Sequence, residues 1–186
     1  MTFAIKTLAR FLRSFRKNED GSPTGEFVLV FFPFILLPIS GFELGLLMTR
    51  HVMMERGLDM AVREVRLNTG VPLTELQFKT MICNTAGIIP NCMTNLRLEM
   101  RPIDLRHSGA NSANQIPRRA SCTNLNNPFQ PARNFTSGTA NEMMIVRACG
   151  KFSPMLPEFG LGYFLSRMDG GYYRLVSTTA FVMEPF

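Results

Sequence analysis

Glu26 stands at the mouth of an apolar run, GEFVLVFFPFILLPISGFELGLLM, and Glu43 stands inside it. An unpaired carboxylate in such surroundings is costly or is driven to take up a proton, so each acid calls for a partner. The second reactive set is sulfur. Cys83, Cys92, Cys122 and Cys149 all follow the apolar run, and an even number in that position suits pairwise oxidation in an exported domain. Sequence alone allows three pairings, and closure of the shortest loops favours Cys83 with Cys92 and Cys122 with Cys149. Zinc is the rival use of these thiols, but no Cys-x-x-Cys pair occurs and His51 and His107 are isolated, so no metal site is expected. The chain carries no Gly-x-Ser-x-Gly, His-Glu-x-x-His, phosphate loop or dinucleotide fingerprint. Glu142 and Glu158 have no partner at an interpretable spacing and read as surface charge. No catalytic residue, no enzyme activity and no cofactor is expected.

The elements that must position the acids follow from the hydropathy pattern. Between residues 27 and 48 the clear polar interruptions are Ser40 and Glu43. About 22 residues at ~1.5 Å each give a helix of roughly 33 Å, the thickness of a bilayer core. A buried core helix is the plainer alternative. Lys6, Arg10, Arg13, Arg16 and Lys17 precede the run, and such a basic leader holds an N-terminus in the cytoplasm and sends the rest outward. This leader carries much of the net charge of +6, which therefore says little for nucleic acid, and no nucleic-acid partner is expected. A removable secretory signal fits poorly, because Ser40-Gly41 is a weak cleavage site and the helical pattern continues past it. Leu44, Leu47, His51, Met54, Leu58, Ala61 and Val65 share one helical face, and Arg50, Glu55, Arg56, Asp59, Arg63 and Glu64 the other. The span thus continues as an amphipathic stem to about Asn68, where Gly70 and Pro72 break it. Packing of that stripe against the chain's own globular head is preferred to a coiled coil, since the repeat covers few heptads.

Gly21-Ser22-Pro23-Thr24-Gly25-Glu26-Phe27 places the carboxylate fifth after a glycine, with an aromatic next and a basic leader in front. This resembles the type IV prepilin processing signal in its Tad (tight adherence) form. With "GFELG" inside the span and "STTAFVMEPF" near the end, the chain is similar to the TadE-like minor pseudopilins. The likeness covers the first 68 residues and, more weakly, the C-terminal strand; Pro23 after the implied cut and Phe27 in place of the tyrosine of major pilins depart from it. It implies cleavage between Gly21 and Ser22 by a prepilin peptidase, and an assembly role for Glu26 and Phe27. It also implies a single-pass protein of the bacterial inner membrane with a periplasmic head, which takes part in pilus assembly or anchoring for adhesion and secretion. The implied partners are the peptidase, the major pilin, other Tad minor pseudopilins and the platform proteins. Independently of the family, a new amine at Ser22 and the Glu26 carboxylate would attract at low dielectric, within a helix or between subunits. Two readings from the residues alone remain beside this one. Glu26 is a helix cap favoured by the N-terminal N–H groups, or the chain is a bitopic membrane protein with an exported binding or sensor domain.

The fold class expected is α+β: a leader over residues 1–21, a transmembrane helix and stem over 22–68, and an exported domain with an antiparallel sheet over 69–186. Thr74 and Gln77 form a possible capping box before a short helix to about Cys83. "NLRLEMR" alternates as a strand that Pro102 stops, "MMIVRAC" reads as another, and "YYRLV" and "TAFVM" read as a hairpin pair. Residues 107–138 are rich in Asn, Ser, Pro, Thr and Arg and read as a long loop. "KFSPMLPEFGLGYFLSRMDGGYY" reads as a loop over one end of the sheet, or as an apolar contact surface for another subunit.

Overall fold

The computed structural model describes residues 23–67, 73–104, 118–125 and 135–185. Gly21 and Ser22, the basic leader and most of the segment read as a long loop lie outside the described residues. The chain divides into two compact units, Met1–Ile39 and Ser40–Phe186. What is described of the first is the opening of helix α1, Pro23–Leu67, whose side chains there are almost all exposed. Pro33 and Pro38 lie within the helix, each removing one N–H donor from its ladder. In its most apolar 18-residue window only 6% of the residues are buried, and the helix is long and apolar enough to cross a membrane. A core helix of a soluble fold would bury that window.

The second unit is an α+β head that includes the later part of α1. The stem belongs to this unit. Met54, Leu58, Ala61, Val62 and Val65 are buried, so the stem's apolar stripe packs into its own head, while Glu55, Arg56, Asp59, Arg63 and Glu64 face solvent. Helix α2, Glu75–Thr85, begins at the expected capping box, with the Gln77 N–H donating to Thr74 Oγ1 and the Thr74 N–H to Gln77 Oε1. Such a cap contributes about 1 kcal/mol and fixes where the helix starts. It buries Phe78 and Ile82, and α1 passes it at Gly57, where an added Cβ would lie 2.9 Å from the Ile82 carbonyl oxygen. A one-turn helix α3, Cys92–Asn95, follows and leads directly into the sheet.

The sheet has the order β1 (Leu96–Pro102), β2 (Met143–Phe152), β3 (Tyr173–Val182), with both pairings antiparallel. Leu96, Leu98 and Met100 of β1, Val146 and Ala148 of β2, and Leu175 and Phe181 of β3 join the core with the stem and α2. The opposite face of β1 and β2 is buried too: Arg97 and Glu99 of β1 and Arg147 and Cys149 of β2 are all almost inaccessible. Glu99 and Arg147 are register partners, and their side chains meet at 2.6 Å. A disulfide from Cys149 to Cys122 holds residues 118–125 at this face, and a second bridge ties Cys83 of α2 to Cys92 of α3. Nearest neighbours along the chain are thus the ones joined.

Three local expectations change. "YYRLV" and "TAFVM" form one continuous strand and no hairpin, because Ser177-Thr178 between them offers no turn signal and Thr178 is a β-former. The segment between β2 and β3 is only partly loop, since Gly160–Ser166 forms helix α4. Glu142 is also more than surface charge: its Oε2 accepts from the Thr139 N–H at 2.8 Å and the Thr139 hydroxyl at 3.0 Å, closing the turn before β2.

Candidate functional site

At the start of α1, Glu26 lies in the first turn and Phe27 stacks on Phe31 with ring centroids 5.1 Å apart. Both residues are exposed, Phe27 by 62%. The four N-terminal N–H groups of a helix favour a carboxylate here. Among the described residues no hydrogen bond or ion pair reaches the Glu26 carboxylate, so it stands as an outward-facing charge on an otherwise apolar surface. The implied cleavage point between Gly21 and Ser22 falls outside the described residues.

Glu43, the second acid of the apolar run, is placed differently. It is 2% exposed, and both carboxylate oxygens accept from the Met155 N–H, each at 3.1 Å. One turn earlier, Ser40 Oγ accepts from the Leu161 N–H at 3.2 Å. One turn beyond Leu47, Arg50 Nη1 donates to Tyr173 Oη at 2.7 Å and reaches the Ser153 carbonyl at 3.4 Å, while its guanidinium lies 5.4 Å from the centre of the Phe152 ring. Burial pushes the Tyr173 phenol above its ordinary range, against the opposing pull of the Arg50 hydrogen bond. Ser40, Glu43, Leu47, Arg50 and Met54 are spaced three, four, three and four, so they form one line along α1. The polar interruptions of the apolar run are therefore the points at which residues 153–161 are fastened to the helix.

Arg50 was expected on the solvent face with Glu55 and Arg56, but it lies on this line, because its guanidinium can stack over the Phe152 ring while Nη1 bonds Tyr173 and Ser153. The role of Ser40 and Glu43 was available to sequence reasoning in one respect: two polar residues three apart in an apolar helix define a face. Their acceptors' donors, backbone N–H groups more than 100 positions away, have no signature in the sequence.

The segment so fastened has two sides. Pro154, Gly162 and Leu165 point into the head, and at Gly162 an added Cβ would run into the Leu156 carbonyl. Met155, Leu156, Phe159, Phe164 and Met168 are exposed, at 56%, 42%, 55%, 68% and 71%. Beside them the Arg167 guanidinium lies 4.2 Å from the centre of the Tyr163 ring. Asp169 then closes the segment with ion pairs to Lys151 at 2.8 Å and Arg174 at 3.6 Å. The Lys151 bond holds the Asp169 carboxyl below the usual carboxylate range.

No group of metal-ligating side chains is found among the described residues. A cleft of about 190 Å³ lies between Glu75, Lys79, Leu96, Arg97 and Thr123. Small-molecule sites run to roughly 300–1,000 Å³ and are largely apolar with a few convergent polar groups. This cleft is smaller and more polar than that, and Glu75, Lys79 and Arg97 all have partners of their own. Comparison with family models, characterised proteins and solved structures finds no match to this chain.

Proposed function

We propose that this chain is a minor pseudopilin of a Tad-type pilus, inserted in the inner membrane through the apolar opening of α1 and carrying a disulfide-stapled head in the periplasm. The observation that carries this reading is Glu26: an exposed, unpaired carboxylate in the first turn of an exposed apolar helix, fifth after Gly21. In a bilayer such a group requires a counter-charge, and cleavage after Gly21 would create one as the Ser22 amine, on the same chain or on a neighbouring subunit. The head supports an assembly role by what it offers: a stem packed into its own core and two disulfide staples. Prepilin peptidase, the major pilin, companion pseudopilins and platform proteins are the partners this role calls for.

Two measurements test the reading. Mass spectrometry of the membrane-bound protein should find a mature N-terminus at Ser22, and Gly21→Leu should retain the leader. Glu26→Ala should be cleaved, inserted and accumulated normally, since removing a charge from the mouth of an apolar span does not oppose insertion. It should fail in pilus formation, because a neighbour's amine is left unmatched at a cost of about 1–3 kcal/mol or more. Normal pili at normal protein level would leave Glu26 as a helix cap, and an intact leader in the wild-type protein would favour a bitopic protein with an exported binding domain.

A further inference from the structure

We infer that residues 155–168 form a second membrane contact, an interfacial anchor whose exposed apolar side chains enter the headgroup–acyl boundary of the phospholipid leaflet next to the head. The inference rests on the reading of α1 as a membrane span and adds a second point of attachment to it. Its first support is position. The segment is fastened to Ser40 and Glu43, and both residues belong to the apolar run that ends at Met48. A bilayer that covers this run to its end meets the level of Ser40 and Glu43 before it stops. Whatever medium surrounds the helix there also surrounds the segment attached to it.

The second support is chemistry. Leu156, Phe159 and Phe164 project outward as large apolar groups, while Pro154, Gly162 and Leu165 fill the inward side, so the exposed side chains are not a disordered core but the outer face of a packed one. Five exposed large hydrophobic residues within fourteen positions are costly in water and mark an interaction surface. Within the same stretch Tyr163 and Arg167 stack against each other, and Asp169, paired with Lys151 and Arg174, follows its end. Exposed apolar side chains, an aromatic ring stacked on a cation and ion pairs are the groups that a membrane interface accommodates together, where tyrosine and arginine place an apolar body and a polar end at different depths. The backbone is also prepared for low water: the Tyr163 N–H bonds the Phe159 carbonyl and the Met155 and Leu161 N–H groups are taken by α1.

The absence of tryptophan from the chain provides a clean test. Three full-length variants, each with one tryptophan, are reconstituted in phosphatidylethanolamine–phosphatidylglycerol vesicles containing lipids brominated either near the headgroup or near the chain ends. Leu37→Trp reports the middle of the apolar run, Phe164→Trp the segment, and Leu76→Trp the exposed side of α2. The expected result is that Phe164→Trp loses about half its emission or more with shallow bromines and less with deep ones, that Leu37→Trp shows the reverse order, and that Leu76→Trp is unquenched. If Leu37→Trp is quenched while Phe164→Trp behaves like Leu76→Trp, the span stands and the anchor is wrong. A blue-shifted but unquenched Phe164→Trp also overturns the anchor, because a second copy of the protein would then be covering the segment. An unquenched Leu37→Trp removes the span, and the anchor with it.

Discussion

At the scale of single residues, the two glutamates of the apolar run have opposite surroundings. Glu26 is exposed at the helix start, whereas Glu43 is buried with its carboxylate on a backbone N–H. That difference predicts different phenotypes. Glu43→Ala leaves the Met155 N–H without its acceptor in a covered site, which costs about 1–3 kcal/mol. Glu43→Gln keeps one carbonyl acceptor for the Met155 N–H and turns the second accepting oxygen into an amide donor, so its cost should be smaller than that of Glu43→Ala. Limited proteolysis within residues 153–168 should accelerate strongly in Glu43→Ala and weakly in Glu43→Gln; equal rates for both variants and wild type would show that the bond does not hold the segment.

Among elements, the decisive contact is the crossing of α1 and α2. Gly57 allows it because the space a Cβ would occupy holds the Ile82 carbonyl at 2.9 Å and the Ala86 Cβ at 3.2 Å. Gly57→Ala sets two effects against each other. Helix propensity gains about 1 kcal/mol, while overpacking against a backbone atom that cannot rotate away costs about 1–3 kcal/mol. The net expectation is a destabilisation of about 1 kcal/mol, visible as a lower denaturant midpoint of the head, and a stabilised Gly57→Ala protein would mean that the helices are not held this closely. The sheet shows the same economy of space. Its central strand is covered on both faces, by the stem and α2 on one and by the Cys122-linked segment on the other, so Glu99 and Arg147 are enclosed and must satisfy each other.

For the whole molecule, stability should have an acid and an alkaline limb with separate owners. Asp169 has a folded-state pKa below its usual 3.8, chiefly through the Lys151 bond. Its contribution is therefore present above that value and is lost as pH falls through the lower, folded one. Tyr173 has a folded-state pKa above its usual 10.0 because it is buried. Its contribution is present below pH 10 and is lost as pH rises toward the folded value, since the unfolded chain ionises first. Thermal melts across pH should show Asp169→Asn with a flatter acid limb and an unchanged alkaline one, and Tyr173→Phe with the converse. The acid effect should be small, because Asp169 is partly exposed and solvent screens it.

Much of this protein was determined locally and could be read from its residues. The apolar run, the Thr74–Gln77 capping box, the alternation of Leu96, Leu98 and Met100, and the stripe through Met54, Leu58 and Val65 each depend on neighbours within a few positions, and periodicity reports such neighbours directly. The single strand through Ser177-Thr178-Thr179 was misread because pairing with the full length of β2 outweighs a weak local pattern. What only the tertiary structure decided is where polar groups are satisfied across long sequence distances. Ser40, Glu43 and Arg50 looked like interruptions of a span and a solvent-facing cation, and they became the line that holds residues 153–161 and Tyr173. The hydrogen bonds that tie Ser40 and Glu43 to Leu161 and Met155 close loops of more than 100 residues, and no local preference encodes a loop of that length.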